Sequence, residues 1–506
     1  MPADQKSVLD SSQSTSSRLK FSFPSLLIFI GVSIALFSLL ADFLGVGSGG
    51  IQAAQILLAE LGLIVACLGF FLIRLNLTRG LSPGQFLSLM IHKILDLPAL
   101  VWVMTGILPS LILFIVVPMF FNEHQHVRYI VDILPKGEPV GSDLRNDMHS
   151  AQYWFQEQRI SGFLFTPIKN ILFYPLILLA YPINYYVISL VTLLFYVISV
   201  WLAILISTVR LHPLIVFIGA LSLFSFGALF ELEMGQYYTI TFTIALLSAY
   251  IFHKYPDFRL FAYFLFCLAV QLKFKPALLV FLLIENWRDW KQNLIRLSAL
   301  GLTNFLALFI FGLEYASTLF TARVDQLQTT GEFSIRNHSI WSSTAVFGAS
   351  GLGILNENAM RWIQDNYAGM TLFLAIFYFL CLAAVLANSY INNERGLNVD
   401  LLLICVIGTM ILPTISHDYT LPILTIPFAL SIANWSERSY PFPRILLILI
   451  TIITGFAYSI TLFPFQYKPE IFQNNLPMFY VILTAVTTLN LLSNKPSSAA
   501  AVNSVG

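Results

Sequence analysis

Charge is what this sequence has least of. Asp, Glu, Lys and Arg together make up 10% of its 506 residues, whereas a soluble domain typically carries about 25%. The stretches 99–121, 170–209 and 213–230 contain none of the four residue types, and a helix needs roughly 20 mostly apolar residues to cross a bilayer. This scarcity excludes an ordinary soluble protein. It predicts an all-α, polytopic transmembrane helical bundle of about 12–14 spans.

Cysteine is also rare. The chain has four, and all of them lie inside apolar runs: Cys67, Cys267, Cys381 and Cys405. That placement favours small, buried apolar side chains over disulfide bonds. The net charge of +1 provides no basic surface for a nucleic acid partner. Metal-ligand spacings, glycine-rich phosphate loops and nucleotide fingerprints are missing too, so we expect no bound metal and no cofactor.

Composition divides the chain into four parts. Residues 1–20 are polar and rich in serine, which predicts a disordered tail. Residues 21–97 are expected to form an accessory transmembrane hairpin followed by a loop, and residues 98–492 the main transmembrane domain. Residues 493–506 are expected to form a second tail.

The basic residues of the short loops give an orientation. They alternate consistently with the predicted spans, as at 74–93, 254–259 and 288–296. By the positive-inside rule these loops are cytoplasmic, together with both termini. Two long segments, 122–182 and 314–368, then lie outside the cytoplasm. The first contains stretches at 148–159 and 170–182 that we expect to lie as surface helices along the membrane. The expected location is the plasma membrane, with multiple spans.

Four polar clusters at the ends of apolar runs fall on the predicted extracytoplasmic side. Charge next to hydrocarbon is costly, so in multi-spanning proteins it usually lines an aqueous cavity or a reaction site. The clusters are Asp143 with Asp147, Glu231 with Glu233 and Gln236, Lys273 with Lys275, and His417 with Asp418. We predict that they converge on one site.

The acidic clusters each have a functional and a simpler interpretation. Asp143 and Asp147 share a face if their segment is helical, where a carboxylate would act as a general base or stabilise positive charge at an anomeric carbon. The simpler interpretation is an acidic loop paired with Arg145. The cluster at 231–236 follows an uncharged run, and it either binds sugar hydroxyls through hydrogen bonds or forms a polar connection between two helices.

Three basic residues are candidates for binding a phosphate group. Lys273 and Lys275 interrupt an apolar stretch on the side that is otherwise poor in positive charge, which is costly unless an anion binds there. Snorkelling of both side chains to lipid headgroups is the alternative. In the second long segment, Arg336 is a further phosphate candidate or else a solvated loop arginine.

Two histidines are candidate ligand contacts. His338 lies next to Arg336 in the second long segment and is a possible hydrogen-bond donor. His417 would bind phosphate or sugar, with Asp418 setting its protonation state. The alternative is that Asp418 simply caps the following helix.

The clusters favour an enzyme with a lipid-borne sugar donor, because nothing on the predicted cytoplasmic side would hold a nucleotide sugar. The alternative is a transporter or flippase for a lipid-linked or amphiphilic substrate. Transporters often contain internal repeats and carry charge near the bilayer midplane. Repeats are not evident in this sequence, and its polar clusters fall on one face, which favours the enzyme.

The order of the motifs resembles that of the GT-C glycosyltransferases. In chain order they are the acidic pair Asp143 and Asp147, a proline-containing surface stretch, Gly235-Gln236 after a span, Lys-x-x-Pro at 273–276, Asn-His-Ser at 337–339 and His-Asp-Tyr at 417–419. Over residues 98–492 the sequence is similar to glycosyltransferase family 87, the polyprenol-phosphate-mannose-dependent mannosyltransferases.

The resemblance implies a GT-C-like fold and an activity. A hexose, mannose in this family, would pass with inversion and without a metal from a polyprenyl-phosphate donor to a hydroxyl group of a lipid or glycan acceptor. The reaction would take place on the extracytoplasmic face, among membrane lipids.

The resemblance also implies residue roles. Asp143 matches the family's catalytic base, since a small residue, Ala151, follows eight positions later, while Leu144 replaces the usual aromatic residue. Asp147 stays a rival for that role. His417 matches a family histidine near the donor phosphate. Gly235-Gln236 matches the family's Gly-Gln, with Tyr237 standing where an asparagine often follows.

Overall fold

A computed structural model describes most of the chain beyond residue 140. The described residues are 27, 30–34, 65, 101–103, 106–107, 141–157, 165–181, 183–207, 212–223, 225–328, 337–351, 355–436 and 474–492. The chain separates into two compact units, Met1–Asp96 and Leu97–Gly506. In the first unit the described residues are helical. Both predicted tails and most of the predicted N-terminal hairpin lie outside the described residues.

The second unit is built of helices, and its described residues include no strand. The helices are α1 (Ser142–Glu157), α2 (Pro167–Ile177), α3 (Ile183–Ile206), α4 (His212–Ser222), α5 (Phe226–Met234), α6 (Tyr238–Lys254), α7 (Arg259–Leu272), α8 (Trp290–Ala307), α9 (Leu313–Gln328), α10 (Ile340–Ser350), α11 (Glu357–Asp365), α12 (Tyr367–Ile391), α13 (Val399–Ile411), α14 (Pro422–Ser436) and α15 (Leu476–Leu492). Short 3-10 helices follow α6, α7 and α13, at Pro256–Phe258, Lys275–Leu283 and Asp418–Thr420. The predicted all-α fold is confirmed.

Several helices have the composition of membrane spans. In the described part of the chain, α3 and α12 are long and apolar enough to cross a bilayer, and α13, α14 and α15 are shorter apolar helices. The uncharged run at 213–230 is not one straight helix: α4 and α5 are bent by 54° at a break. The break occurs where the hydroxyl of Ser225 accepts a hydrogen bond from the Ala228 amide and starts a new helix.

Helices α6 and α13 form the centre of the unit. Every residue of α13 from Asp400 to Ile411 is buried, as expected for a helix that is apolar all round. Helix α6 is buried along most of its length although it is rich in threonine. Some of its hydroxyls bond within the helix, as when Thr243 donates to the carbonyl of Thr239, and others bond to neighbouring helices, as when Ser248 donates to the carbonyl of Ala262. The outer helices α3 and α12 expose large apolar side chains, such as Leu190 and Leu380, to the membrane.

The packing brings several helix ends together. Helix α6 packs against α3 and α7, and α13 packs against α14 and the 3-10 helix Lys275–Leu283. The start of α6, the end of α7 and the end of α13 therefore lie at one end of the unit, where α1 also packs against α2 and α5. The polar clusters predicted from the sequence belong to this end.

Candidate active site

A cavity of about 550 Å³ opens where these helix ends meet. Its polar lining comprises Asp143, Asn146, Asp147, Thr166, Lys169, Gln236, Gln271, Lys273, Lys275, Thr409 and Thr414. Its apolar and aromatic lining includes Phe165, Tyr238, Phe274, Leu278, Leu412, Pro413, Ile415 and Tyr419. Residues that are far apart in the sequence therefore line one cavity, in which charged side chains lie next to apolar side chains.

Two glycines bring Asp143 to the end of α5. Gly235 ends that helix with φ +65°, and a Cβ atom there would lie 2.8 Å from the Cβ of Leu144. Gly141 has φ +76°, and its amide donates to the Glu233 carbonyl over 2.7 Å. Positive φ and close backbone approach both favour glycine. As a result the first turn of α1 lies directly against the residue after Gly235, which is Gln236.

Gln236 links a carboxylate to an ammonium group. Its side-chain Nε2 donates to Oδ2 of Asp143, and its Oε1 accepts from Nζ of Lys273 over 2.8 Å. Asp143 is half-buried and lies in the first turn of α1, where the helix dipole favours negative charge. Burial nevertheless raises the pKa of Asp143 above its usual range, while Gln236, Lys273 and His417 each lower it in part. A raised pKa makes the ionised carboxylate a stronger base.

Asp147 lies on the same face of α1 but in different surroundings. It is 4% exposed, its Oδ1 is 2.9 Å from Nζ of Lys169, and its Oδ2 accepts from the Tyr237 hydroxyl over 2.7 Å. Both oxygens are therefore engaged by protein. Lys169 was missed by the sequence reasoning, although it is the only charged residue between Arg159 and Arg210.

The two lysines predicted to bind phosphate flank one tyrosine. Nζ of Lys273 lies 4.7 Å from the ring centroid of Tyr238, and Nζ of Lys275 lies 4.6 Å from the same centroid. Lys275 also reaches the hydroxyl of Ser416 at 3.5 Å. Tyr238 stacks on Tyr419 with ring centroids 5.6 Å apart. The tyrosine pair thus provides an aromatic support for the side chains of two lysines that line the cavity.

His338 and Asp418 form a buried pair of their own. Nε2 of His338 is 2.7 Å from Oδ1 of Asp418, and neither residue lines the cavity. The His338 amide donates to the Ser416 carbonyl, and Oδ1 of Asn337 accepts from the Ser416 amide. These contacts hold in place the loop that contains Ser416, whose hydroxyl contacts Lys275. His417 is half-buried, with its ring centroid 5.6 Å from that of Tyr419.

The remaining predicted residues are placed differently. Glu231 is buried and accepts hydrogen bonds from the amide and the hydroxyl of Thr239, so it joins α5 to α6. Glu233 is half-buried beside the Gly141 junction. Arg336 lies outside the described residues.

The chemistry of the cavity is that of an acid–base group beside cations. Within the described part of the chain, no cluster of three or more His, Cys, Asp or Glu side chains could hold a metal ion. The sequence reasoning also missed Tyr238, because aromatic residues are frequent in apolar runs and carry no distinguishing pattern.

The fold and the cavity define a class: an all-α membrane protein with a half-buried carboxylate and two lysines around one chamber. Residues 163–413 match the model of glycosyltransferase family 87, which confirms the resemblance found in the sequence. This stretch is about half of the chain, and over it the protein belongs to that family. The protein is a membrane glycosyltransferase. No curated protein and no solved structure matches the chain.

Proposed function

We propose that the protein transfers a hexose, mannose by its family resemblance, from a polyprenyl-phosphate donor to a hydroxyl group of a lipid or glycan acceptor. One observation supports this most directly. The carboxylate of Asp143 and the ammonium group of Lys273 line the same cavity and are bridged by Gln236. A base for the acceptor and a cation for the leaving group are thus present at one site.

In the proposed step Asp143 removes the proton of the acceptor hydroxyl. The acceptor oxygen attacks the anomeric carbon from the side opposite the phosphate, and the bond between that carbon and the phosphate oxygen breaks. Its electron pair leaves with polyprenyl phosphate, and the proton stays on Asp143. Attack from the opposite side inverts the anomeric centre. Asp143 is favoured over Asp147 as the base because Asp147 is buried and engaged by Lys169 and Tyr237.

Lys273 and Lys275 would neutralise the charge that develops on the leaving phosphate. Preorganised cations in a site shielded from water are worth more than the same cations in solution, and both lysines are held against Tyr238. Apolar cavity residues such as Phe274, Leu278 and Leu412 suit the first isoprene units of the donor. His417, whose ring centroid lies 5.6 Å from that of the cavity residue Tyr419, would add a hydrogen bond to the phosphate or the sugar.

We propose that the protein lies in the plasma membrane, with the cavity on the extracytoplasmic side and both termini in the cytoplasm. The support comes from the basic residues at 254–259 and 288–296, which lie at the end of the unit away from the cavity. A donor carried by a membrane lipid reaches such a site without a cytosolic nucleotide.

The test is the Asp143→Asn substitution in the full chain. Membranes that contain the protein are supplied with radiolabelled polyprenyl-phosphate mannose, and labelled products are separated from the donor. We expect transfer to fall roughly a hundred- to ten-thousand-fold, which is the range for loss of a general base, because asparagine keeps the shape but accepts no proton.

The matched control is Asp289→Asn, which changes an exposed carboxylate outside the cavity and should leave transfer unchanged. Transfer by Asp143→Asn at the wild-type rate would refute Asp143 as the base. Movement of intact labelled donor across the membrane, with no covalent product, would support a transporter instead.

A further inference from the structure

Lys169 is a buried lysine that lines the same cavity as the proposed base. It lies in the first turn of α2, where Thr166 caps the helix by accepting from the Lys169 amide and Pro167 starts it. The residue is 3% exposed. Its Nζ is 3.3 Å from the ring centroid of Phe165 and 5.4 Å from that of Tyr237. A lysine is almost never fully buried unless it is paired, and here the carboxylate of Asp147 is 2.9 Å away.

The partner carboxylate lies one helical turn from Asp143. Residues four apart on a helix have Cβ atoms about 5–6 Å from each other, and the charge of Asp147 raises the pKa of Asp143. Two carboxylates this close resist being ionised together. The ammonium group of Lys169, 2.9 Å from the carboxylate of Asp147, offsets part of its charge and so weakens the repulsion that Asp147 exerts on Asp143.

Other charged groups lie in the same region. They are Lys273 at the end of α7, His417 before the 3-10 helix Asp418–Thr420, and Glu231 and Glu233 on α5. Lys273 is tied to Asp143 through Gln236, and Glu231 is engaged by Thr239. The cation that pairs with Asp147 is Lys169.

We propose that Lys169 is a positioning residue for the transfer reaction: by pairing with Asp147 it reduces the repulsion between the two carboxylates of α1 and so favours the ionised form of Asp143. This inference rests on the proposed function only where it predicts an effect on transfer. The electrostatic interaction among Lys169, Asp147 and Asp143 does not depend on whether Asp143 is the base.

A purely structural role for Lys169 predicts something different. If the side chain only filled the space between Phe165 and Tyr237, its loss would lower the amount of folded protein or the turnover number. It would not move the pH dependence of transfer, and removing the charge of Asp147 as well would not repair the defect.

The experiment is a charge cycle in the purified full chain. The variants are Lys169→Met, Asp147→Asn, the double variant and Lys169→Arg, with Lys291→Met as the control because Lys291 is exposed on α8. Transfer from radiolabelled polyprenyl-phosphate mannose is measured against pH. We expect the acidic limb of the profile to move up by about one pH unit in Lys169→Met, because Asp147 is then an unpaired anion beside Asp143.

The other variants should move the limb in defined directions. Asp147→Asn leaves an unpaired cation and should move it down, whereas the double variant and Lys169→Arg should return it close to wild type. A limb that stays in place in both single variants, or a double variant that resembles Lys169→Met, would overturn the proposal. If Lys169→Met folds poorly, Asp147→Asn and the double variant keep the test decisive, because the first should move the limb down and the second should return it.

A second readout does not depend on activity. The protonation of the Asp143 carboxyl is followed by infrared difference spectroscopy during a pH titration, with Asp143→Asn identifying its band. An Asp143 titration that is unmoved in Lys169→Met would refute this inference alone. Transfer that survives Asp143→Asn would refute the proposed function alone.

Discussion

At the scale of single residues, two carboxylates on one helix face have opposite surroundings. Asp143 is half-buried, faces the cavity and accepts from the uncharged Gln236. Asp147 is 4% exposed and shares both oxygens with Lys169 and Tyr237. The environment, rather than the residue type, distinguishes the two carboxylates.

The role of Gln236 can be tested through the pH profile. Its hydrogen bond favours the ionised form of Asp143 and lowers the pKa of that carboxyl. Gln236→Leu should therefore raise the pKa further, and the acidic limb of the transfer profile should move to higher pH. Hydrogen bonds to charged groups contribute about 1.5–3 kcal/mol, and 1.36 kcal/mol corresponds to one pKa unit, so a shift of about one unit is expected.

The control for this change is Gln364→Leu, which removes an exposed amide on α11 outside the cavity. Its profile should overlay that of wild type. If Gln236→Leu also leaves the limb in place, the hydrogen bond does not set the ionisation of Asp143.

At the scale of secondary-structure elements, the site depends on how closely α1 approaches α5. Gly235→Ala would force a side chain into a left-handed conformation, which costs about 1–2 kcal/mol, and would place its Cβ 2.8 Å from the Cβ of Leu144. We expect a lower midpoint of thermal unfolding in detergent and a large loss of transfer, because α1 must move away from Gln236.

Gly301→Ala is the matched control. Gly301 lies inside α8, and a Cβ there would meet nothing within 4 Å. Alanine is a better helix former than glycine, so this variant should unfold at the same or a higher temperature and retain transfer. Equal behaviour of the two alanine variants would show that the Gly235 junction is not needed.

Some features of these elements were predictable from sequence patterns, and others were not. The shared face of Asp143 and Asp147 was predictable, because helical spacing is local. The bend between α4 and α5 was not, because Ser225 and Gly227 lie in a run that reads as continuously apolar. The pairing of His338 with Asp418 joins the segment before α10 to the 3-10 helix after α13, and nothing in either local pattern specifies such a partner.

At the scale of the whole second unit, burial separates the helices into two groups. Helices α6 and α13 are enclosed by protein, while α3 and α12 keep most of their apolar surface outward. This packing brings Asp143, Asp147, Gln236, Lys273 and Lys275 to one cavity, whereas Glu231, Glu233, His417 and Asp418 of the same clusters do not line it. The rule that charge beside hydrocarbon marks a site, applied to Lys169, would have added that residue to the candidates.

The orientation of the unit in the membrane is open to a direct test. Arg361 on α11 lies at the cavity end, and Arg288 lies beyond the 3-10 helix Lys275–Leu283 at the other end; both are exposed. In a background without native cysteines, Arg361→Cys in intact cells should react with a membrane-impermeant maleimide. Arg288→Cys should react only after permeabilisation, because the positive-inside rule places its loop in the cytoplasm. The reverse pattern would put the cavity on the cytoplasmic face, where an extracytoplasmic lipid-linked donor does not reach it.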